Sequence, residues 1–338
     1  MNLSSNTNDI LLFKIQEYFP SFTVSLSLTS LLIHTIIAII SYTLYIFIIA
    51  FLIKNRKNSI FNSFFYYSII LNGFCDISFH IDNFFTSNLL LYEPYLNKFA
   101  PTEPSFWFSP LFYIGYFFVD FLFYNSFIIS INRVVVIISP IKAKNIFETN
   151  IKLLTAFGLL LSGLPHLYLL TRPAYFSVES SKYTNDKKIG KFIILMWKGH
   201  ETMPINIVAI YCGIFTVATF LVNLFIIYLL IKKRNKKNKN YDTKMTIYVI
   251  LHFISQITYI SILYTGYFVD MNLEDQTIIY ILKIVRPWCF NILCLFAPYS
   301  LIAFNTNIRK MIYEKITFLF IQRLVTIFKN LHSCINIF

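Results

Sequence analysis

Seven stretches of this 338-residue chain are apolar enough and long enough to cross a lipid bilayer. They fall at about 31–53, 60–85, 111–138, 153–170, 205–231, 245–269 and 277–304. A helix of roughly 20 apolar residues covers the hydrocarbon core. Inside lipid each backbone N–H and C=O must be bonded within its own helix or to a neighbour. The pattern therefore predicts an all-α membrane protein, a seven-transmembrane helix bundle. Composition agrees: 57% of residues are hydrophobic and 13% are charged, where a soluble domain carries about 25% charged residues.

Loop charges orient the bundle. Lys54, Arg56 and Lys57 follow the first span, and Lys142, Lys144 and Lys152 follow the third. Seven bases between 232 and 244 follow the fifth, and five more lie in the tail. The segments on the opposite side are balanced or acidic, except for a basic loop at 171–204. Basic loops stay in the cytoplasm, so the N-terminus is expected outside and the C-terminus inside. The expected division is an extracellular segment at 1–30, a membrane domain at 31–304, and a cytoplasmic tail at 305–338. In the tail Ile308, Met311, Ile312, Ile316, Leu319 and Phe320 fall near one face, with Arg309, Lys310, Glu314 and Lys315 on others. That pattern suits an amphipathic helix lying on the inner leaflet, with membrane lipids as partners.

The net charge of +13 does not signal nucleic acid, because the bases sit in short clusters between apolar runs. Cys75, Cys212, Cys289 and Cys294 lie inside spans and Cys334 lies in the tail. None has metal-ligand spacing, so neither a metal nor a cofactor is expected. Residues 1–30 lack a signal-peptide pattern, and Asn2-Leu-Ser4 is a sequon close to the terminus.

Ionisable groups in the spans each need a reason, since a charge in hydrocarbon costs several kcal/mol. Asp120 lies roughly 20 Å along its helix from Arg133 at ~1.5 Å per residue. Tyr116 and Tyr124 flank it at i−4 and i+4, on the same face. Either this face contacts a ligand, or Asp120 is hydrogen-bonded to a Tyr or a neighbouring helix. Lys283 and Arg286 share a face of span seven. They suit a carboxylate or sulfate on a ligand, or else they pair with Asp82 or Asp120 or snorkel to the interface. Asp76 and His80 form an i, i+4 pair on span two, either an internal polar switch or a structural cluster with Asn72 or Asn305.

Span three ends in Ser130-Ile-Asn-Arg-Val-Val-Val-Ile-Ile-Ser-Pro-Ile-Lys142. Asn132 and Arg133 stand where a buried helix meets water, and Pro140 marks the exit. Arg133 is then a coupling residue or a snorkelling anchor. With seven spans and this polarity, the chain resembles a G-protein-coupled receptor. In rhodopsin-like receptors an acid, Arg and an aromatic close the third helix, with Pro a fixed distance on; Asn132 replaces the acid here. Pro298, Asn305, Ile308 and Arg309 resemble the end of helix seven and the start of its amphipathic extension. Asp76 resembles the acid of helix two, and Pro165 the Pro of helix four. The outer Cys of helix three, the Trp-x-Pro of helix six and the Pro of helix five are missing.

The closer resemblance is to the nematode serpentine chemoreceptors of the class gamma superfamily, class gamma or class V. Lys54-Asn-Arg-Lys-Asn-Ser-Ile-Phe-Asn-Ser-Phe-Phe65, Ile131-Asn-Arg-Val and Ser139-Pro-Ile-Lys142 carry it. It implies a sensory receptor at the plasma membrane or sensory cilium that takes a small-molecule ligand and activates a heterotrimeric G protein. Asn132, Arg133, Pro140, Lys142 and Arg309 would then form the coupling surface. Asp120, Tyr116, Tyr124, Lys283 and Arg286 would contact ligand. Asp76, Pro298 and Asn305 would form an internal polar switch, sodium-linked in rhodopsin-like receptors. Basic runs beside membranes also serve topology and lipid attraction.

Three rival functions make different demands on the sequence. A retinal protein would carry its lysine seven residues before Pro298, where Asn291 stands. A transporter or channel without G-protein coupling would show repeats or broken helices in matching halves, and none is evident. An intramembrane hydrolase would need clustered His and acidic groups, whereas His34, His80, His166 and His252 are scattered over different spans. The chain is therefore expected not to be an enzyme.

Overall fold

The fold is that of a computed structural model. It describes residues 20–57, 61–88, 106, 109–171, 173–179, 192–197, 203–233, 240–272, 276–310 and 313. Seven helical segments match the seven apolar stretches. They are α1 (Pro20–Lys54), α2 (Phe64–Asn83), α3 (Ser109–Ile138), α4 (Ile151–Gly163), α5 (Met203–Lys233), α6 (Asn240–Asn272) and α7 (Gln276–Leu295). α7 continues as α8 (Ala297–Phe304).

Five of these are long and apolar enough to cross a membrane on composition alone, and the bent pair α7–α8 supplies a sixth. α2 is the seventh. Its apolar signal is diluted because Asn72, Asp76, His80 and Asn83 are turned into the bundle.

Two prolines shape the spans differently. Pro298 has no N–H to offer the preceding turn and its ring crowds that turn's carbonyl, so the helix breaks. The axis bends by 43° between Val285–Leu295 and Ala297–Phe304. At Pro165, α4 tightens into a 3₁₀ segment, Leu164–Thr171, which moves His166 into the interior.

α3 is the axis of the bundle and packs against α2, α4, α5 and α6. α7 lies against α6, α2 and α1 and closes the ring. The outward faces are apolar and lipid-directed: Ile210, Ile214, Val217, Leu221 and Leu224 recur at helical spacing along α5 and are exposed. Lipid gives no hydrophobic drive between helices, so packing and hydrogen bonds hold them. Close packing needs small residues at crossings. A Cβ on Gly158 of α4 would run into the ring of Tyr124 on α3, and one on Gly213 of α5 would meet the hydroxyl of Tyr264 on α6.

Two features differ from the linear reading. The segment at 171–204 is more than a loop: Ala174–Glu179 (β1) and Phe192–Trp197 (β2) pair antiparallel, Ala174 opposite Trp197 and Glu179 opposite Phe192. Aromatic and aliphatic residues dominate both strands, which suits β pairing, and the charged residues between them hid it as plain linker. The amphipathic tail lies largely outside the described residues. Only its first turn is seen, with Ile308 buried and Arg309 exposed. The basic run at 234–239 and most of the 86–110 segment also lie outside them.

Candidate functional site

Polar side chains run down the inside of the bundle in layers. In the layer around the middle of α3, the Asp120 carboxylate meets His166 Nε2 at 2.7 Å, with neither side chain exposed. Its other oxygen accepts from the Cys212 thiol of α5 at 3.5 Å. Asp120 thus ties α3 to α4 and α5, and its contact with His166 is an ion pair when the imidazole is protonated. Tyr116 lies one turn away with its ring 5.6 Å from that of His166. Tyr124, one turn the other way, donates its hydroxyl to the Leu154 carbonyl at 2.9 Å. The shared face is real, and it looks onto α4. The partner of Asp120 is a histidine on the neighbouring helix, not a tyrosine of its own.

Arg286 is exposed and forms no ion pair with Asp82 or Asp120. It lies within electrostatic range of Tyr116 on α3 and Tyr259 on α6. Lys283 lies on α7, and its side chain is outside the described residues.

A second layer joins α1, α2 and α7. His80 Nδ1 bonds the Tyr42 hydroxyl at 2.7 Å, and its Nε2 bonds Asn291 Oδ1 at 2.7 Å. Asn291 Nδ2 reaches His34 Nδ1 at 2.5 Å, and Trp288 packs on His34 with centroids 4.1 Å apart. A carbonyl oxygen only accepts, so His80 Nε2 carries the proton. In a neutral ring Nδ1 then accepts from Tyr42, and His34 Nδ1 accepts from the amide. Two histidines that look scattered along the chain are therefore members of one network. His80 is not bonded to Asp76.

Asp76 instead accepts from the Tyr45 hydroxyl of α1 and is fully buried. Neither proposed partner, Asn72 or Asn305, bonds it. Asn72 Oδ1 accepts from Asn125 Nδ2 of α3 at 2.6 Å. Asn305 Nδ2 donates to the Tyr66 hydroxyl at 3.0 Å, while its Oδ1 caps the following turn through the N–H groups of Asn307 and Ile308, each at 3.1 Å. Asp76 and Asn305 thus sit in separate hydrogen-bond groups, with Pro298 at the bend between α7 and α8.

At the basic end of α3, Arg133 does not reach out to head groups. It is 7% exposed, and its guanidinium carbon lies 3.8 Å over the ring of Phe65 on α2. Phe65 meets Tyr248 of α6 edge-on at 5.9 Å, so one aromatic ring links three helices around the cation. An aromatic face holds the charge inward. Asn132 is buried beside it, while Pro140 and Lys142 are exposed on the turn that follows. Phe147 anchors that turn against Phe64, with centroids 5.0 Å apart. Arg309 is exposed, with Nη1 on the Ala303 carbonyl at 3.1 Å.

His166, Cys212, Tyr45, Asn291 and Phe65 were not singled out by sequence as partners. A buried histidine on one span is the natural complement of a buried acid on another, and that was the available signal for His166. Among the described residues no group of three or more His, Cys, Asp or Glu could hold a metal.

The family model of the serpentine type 7TM GPCR chemoreceptor Srv matches residues 34–318. The chain belongs to this family. Of the gamma and V classes that the motifs left open, the match is to V. This Srv chemoreceptor is a multi-pass membrane protein whose matched region runs from His34 in α1 past Asn305 into the tail. A search of curated proteins finds no match.

Proposed function

We propose that this chemoreceptor binds a small-molecule ligand from outside the cell and activates a heterotrimeric G protein at its basic end. It would act at the plasma membrane or sensory cilium, with residues 1–30 outside and 305–338 inside. The burial of Arg133 under Phe65 is the observation that carries the coupling reading. A lipid anchor would gain most by reaching the interface, whereas a cation held by an aromatic ring is available to be released. Asn132, Pro140, Lys142 and Arg309 would make up the rest of the coupling surface.

On the ligand side, the region between Tyr116, Arg286 and Tyr259 supports reading an anionic or polar compound. Lys283 would add a second cation. Asp120 would act through His166, and Tyr124 through α4. Asp76, Pro298 and Asn305 would lie along the route from this region to the coupling end.

Expression with a G-protein reporter, screened with small organic acids and pheromone-like lipids, tests this. Arg133→Ala should abolish signalling, and Arg286→Ala should weaken the ligand response, both with surface expression intact. No effect from either change removes the two assignments, and ligand-independent solute flux would favour a transporter instead.

A further inference from the structure

Asp82 is the penultimate residue of α2, at the end remote from the basic loops. Ile81 and Phe85 beside it are exposed and lipid-directed, whereas Cys75 and Phe79, on its own side of the helix, are buried. The Asp82 side chain is half-buried and turns toward α3. A Cβ on Gly115 would run into Oδ2, and all three atoms that it would meet belong to this carboxyl group. The glycine therefore leaves the room that the carboxylate occupies.

The other two acids of α2 and α3 are answered by the protein. Asp120 has His166 and Cys212, and Asp76 has Tyr45. Both are fully buried. Asp82 differs on each count. Its Oδ1 has no hydrogen-bond partner, no ion pair joins it to Arg286, and part of its side chain is accessible. A carboxylate only accepts hydrogen bonds, and a charge inside the membrane needs a partner. Tyr116, next to Gly115 on α3, lies within electrostatic range of Asp82 as well as of Arg286. An unanswered acid on α2 and an exposed cation on α7 thus bear on the same tyrosine.

We propose that Asp82 is a ligand-contacting residue that takes a protonated amine, so that with Arg286 the receptor selects a zwitterionic, amino-acid-like compound over a simple acid. This rests on the reading of the region between Tyr116, Arg286 and Tyr259 as the ligand site, and it narrows the class of ligand. An ammonium group donates up to three hydrogen bonds, and charge-assisted bonds to a carboxylate are the strong kind. Arg286 offers a planar fork of donors to the carboxylate at the other end of the ligand. A simple acid would leave Asp82 unanswered and bring a second negative charge toward it, so the same residue discriminates by repulsion.

Thermal unfolding of the full-length receptor in lipid nanodiscs tests this. The probes are α- and ω-amino acids of up to six carbons, each paired with the carboxylic acid that lacks only the amine. At least one amino acid should raise the melting temperature at a concentration where its paired acid has little effect. Asp82→Asn should raise the concentration needed for half of that shift roughly tenfold or more, and leave the effect of the acids unchanged. Without any probe, Asp82→Asn should melt higher than the wild type, because an unanswered carboxylate held for binding has been removed. A lower melting temperature makes Asp82 a structural partner and overturns the proposal. So does a series in which no amino acid exceeds its paired acid. Stabilisation by the acids that Arg286→Ala abolishes would then leave the ligand site standing without Asp82. Probe effects that Arg286→Ala leaves unchanged remove the ligand site itself, and the proposal with it.

Discussion

Asp120 and His166, 46 positions apart in sequence, meet at 2.7 Å with no solvent at either side chain. Removing one member of a buried, hydrogen-bonded acid–imidazole pair strands the other, at a cost of about 1–3 kcal/mol. Asp120→Ala and His166→Ala should each destabilise the receptor by that order. The double variant should lose much less than the two together, because neither then leaves a stranded group. Thermal unfolding of the purified protein measures all three, and additive losses would show that the two side chains do not depend on each other.

Gly158 allows Tyr124 to lie flat on α4 with its hydroxyl on the Leu154 carbonyl. Gly158→Ala should force the ring or the helix to move and destabilise by about 1–3 kcal/mol, as overpacking does. Combining it with Tyr124→Ala should recover much of that loss, since the obstructing ring is gone. An unchanged melting temperature in Gly158→Ala would mean that α3 and α4 are less closely packed than described.

Phe65→Leu keeps an apolar side chain on α2 but removes the π face over which Arg133 lies. That contact is worth about 0.5–2 kcal/mol. If the arginine is the coupling cation, weakening its restraint should raise ligand-free signalling in a reporter cell, while Arg133→Ala silences it. A Phe65→Leu receptor with normal surface expression and unchanged basal signal would separate the aromatic contact from coupling.

Asn291→Leu should strand two nitrogens at once, His80 Nε2 and His34 Nδ1. An unsatisfied buried polar group costs about 1–3 kcal/mol. The loss should therefore exceed that of Asn150→Leu, whose amide bonds only a backbone carbonyl at an exposed position. Comparing the two variants in one thermal assay isolates the value of the chain from that of a local hydrogen bond.

Helix ends were legible because lipid imposes a length and charges refuse the hydrocarbon. Lys54, Ile138 and Phe304 close their helices within a residue or so of where the apolar runs predicted. Asp120 and Asp76 were legible as groups needing a partner, but their partners were not. Periodicity names a face and cannot say which helix the face meets: for Asp120 it left a Tyr or a neighbouring helix open, where His166 is the bonded group, and for Asp76 it offered Asn72 or Asn305, where Tyr45 is. Arg133 was found by its position near the end of a span. Its inward turn depends on Phe65, 68 positions earlier, which no local pattern connects to it. The hairpin at Ala174–Trp197 was missed because its bases and acids dominated the reading of a segment whose strands are short.

The bonds from Tyr42 through His80 and Asn291 to His34 all point the same way: each residue gives a hydrogen to the next. Reversing that sense means turning over the Asn291 amide and relocating a proton on each imidazole together, since a half-reversed chain would set two donors or two acceptors face to face. Three helices therefore share a single binary setting, and exchanging any one link for an aliphatic side chain would erase both of its values.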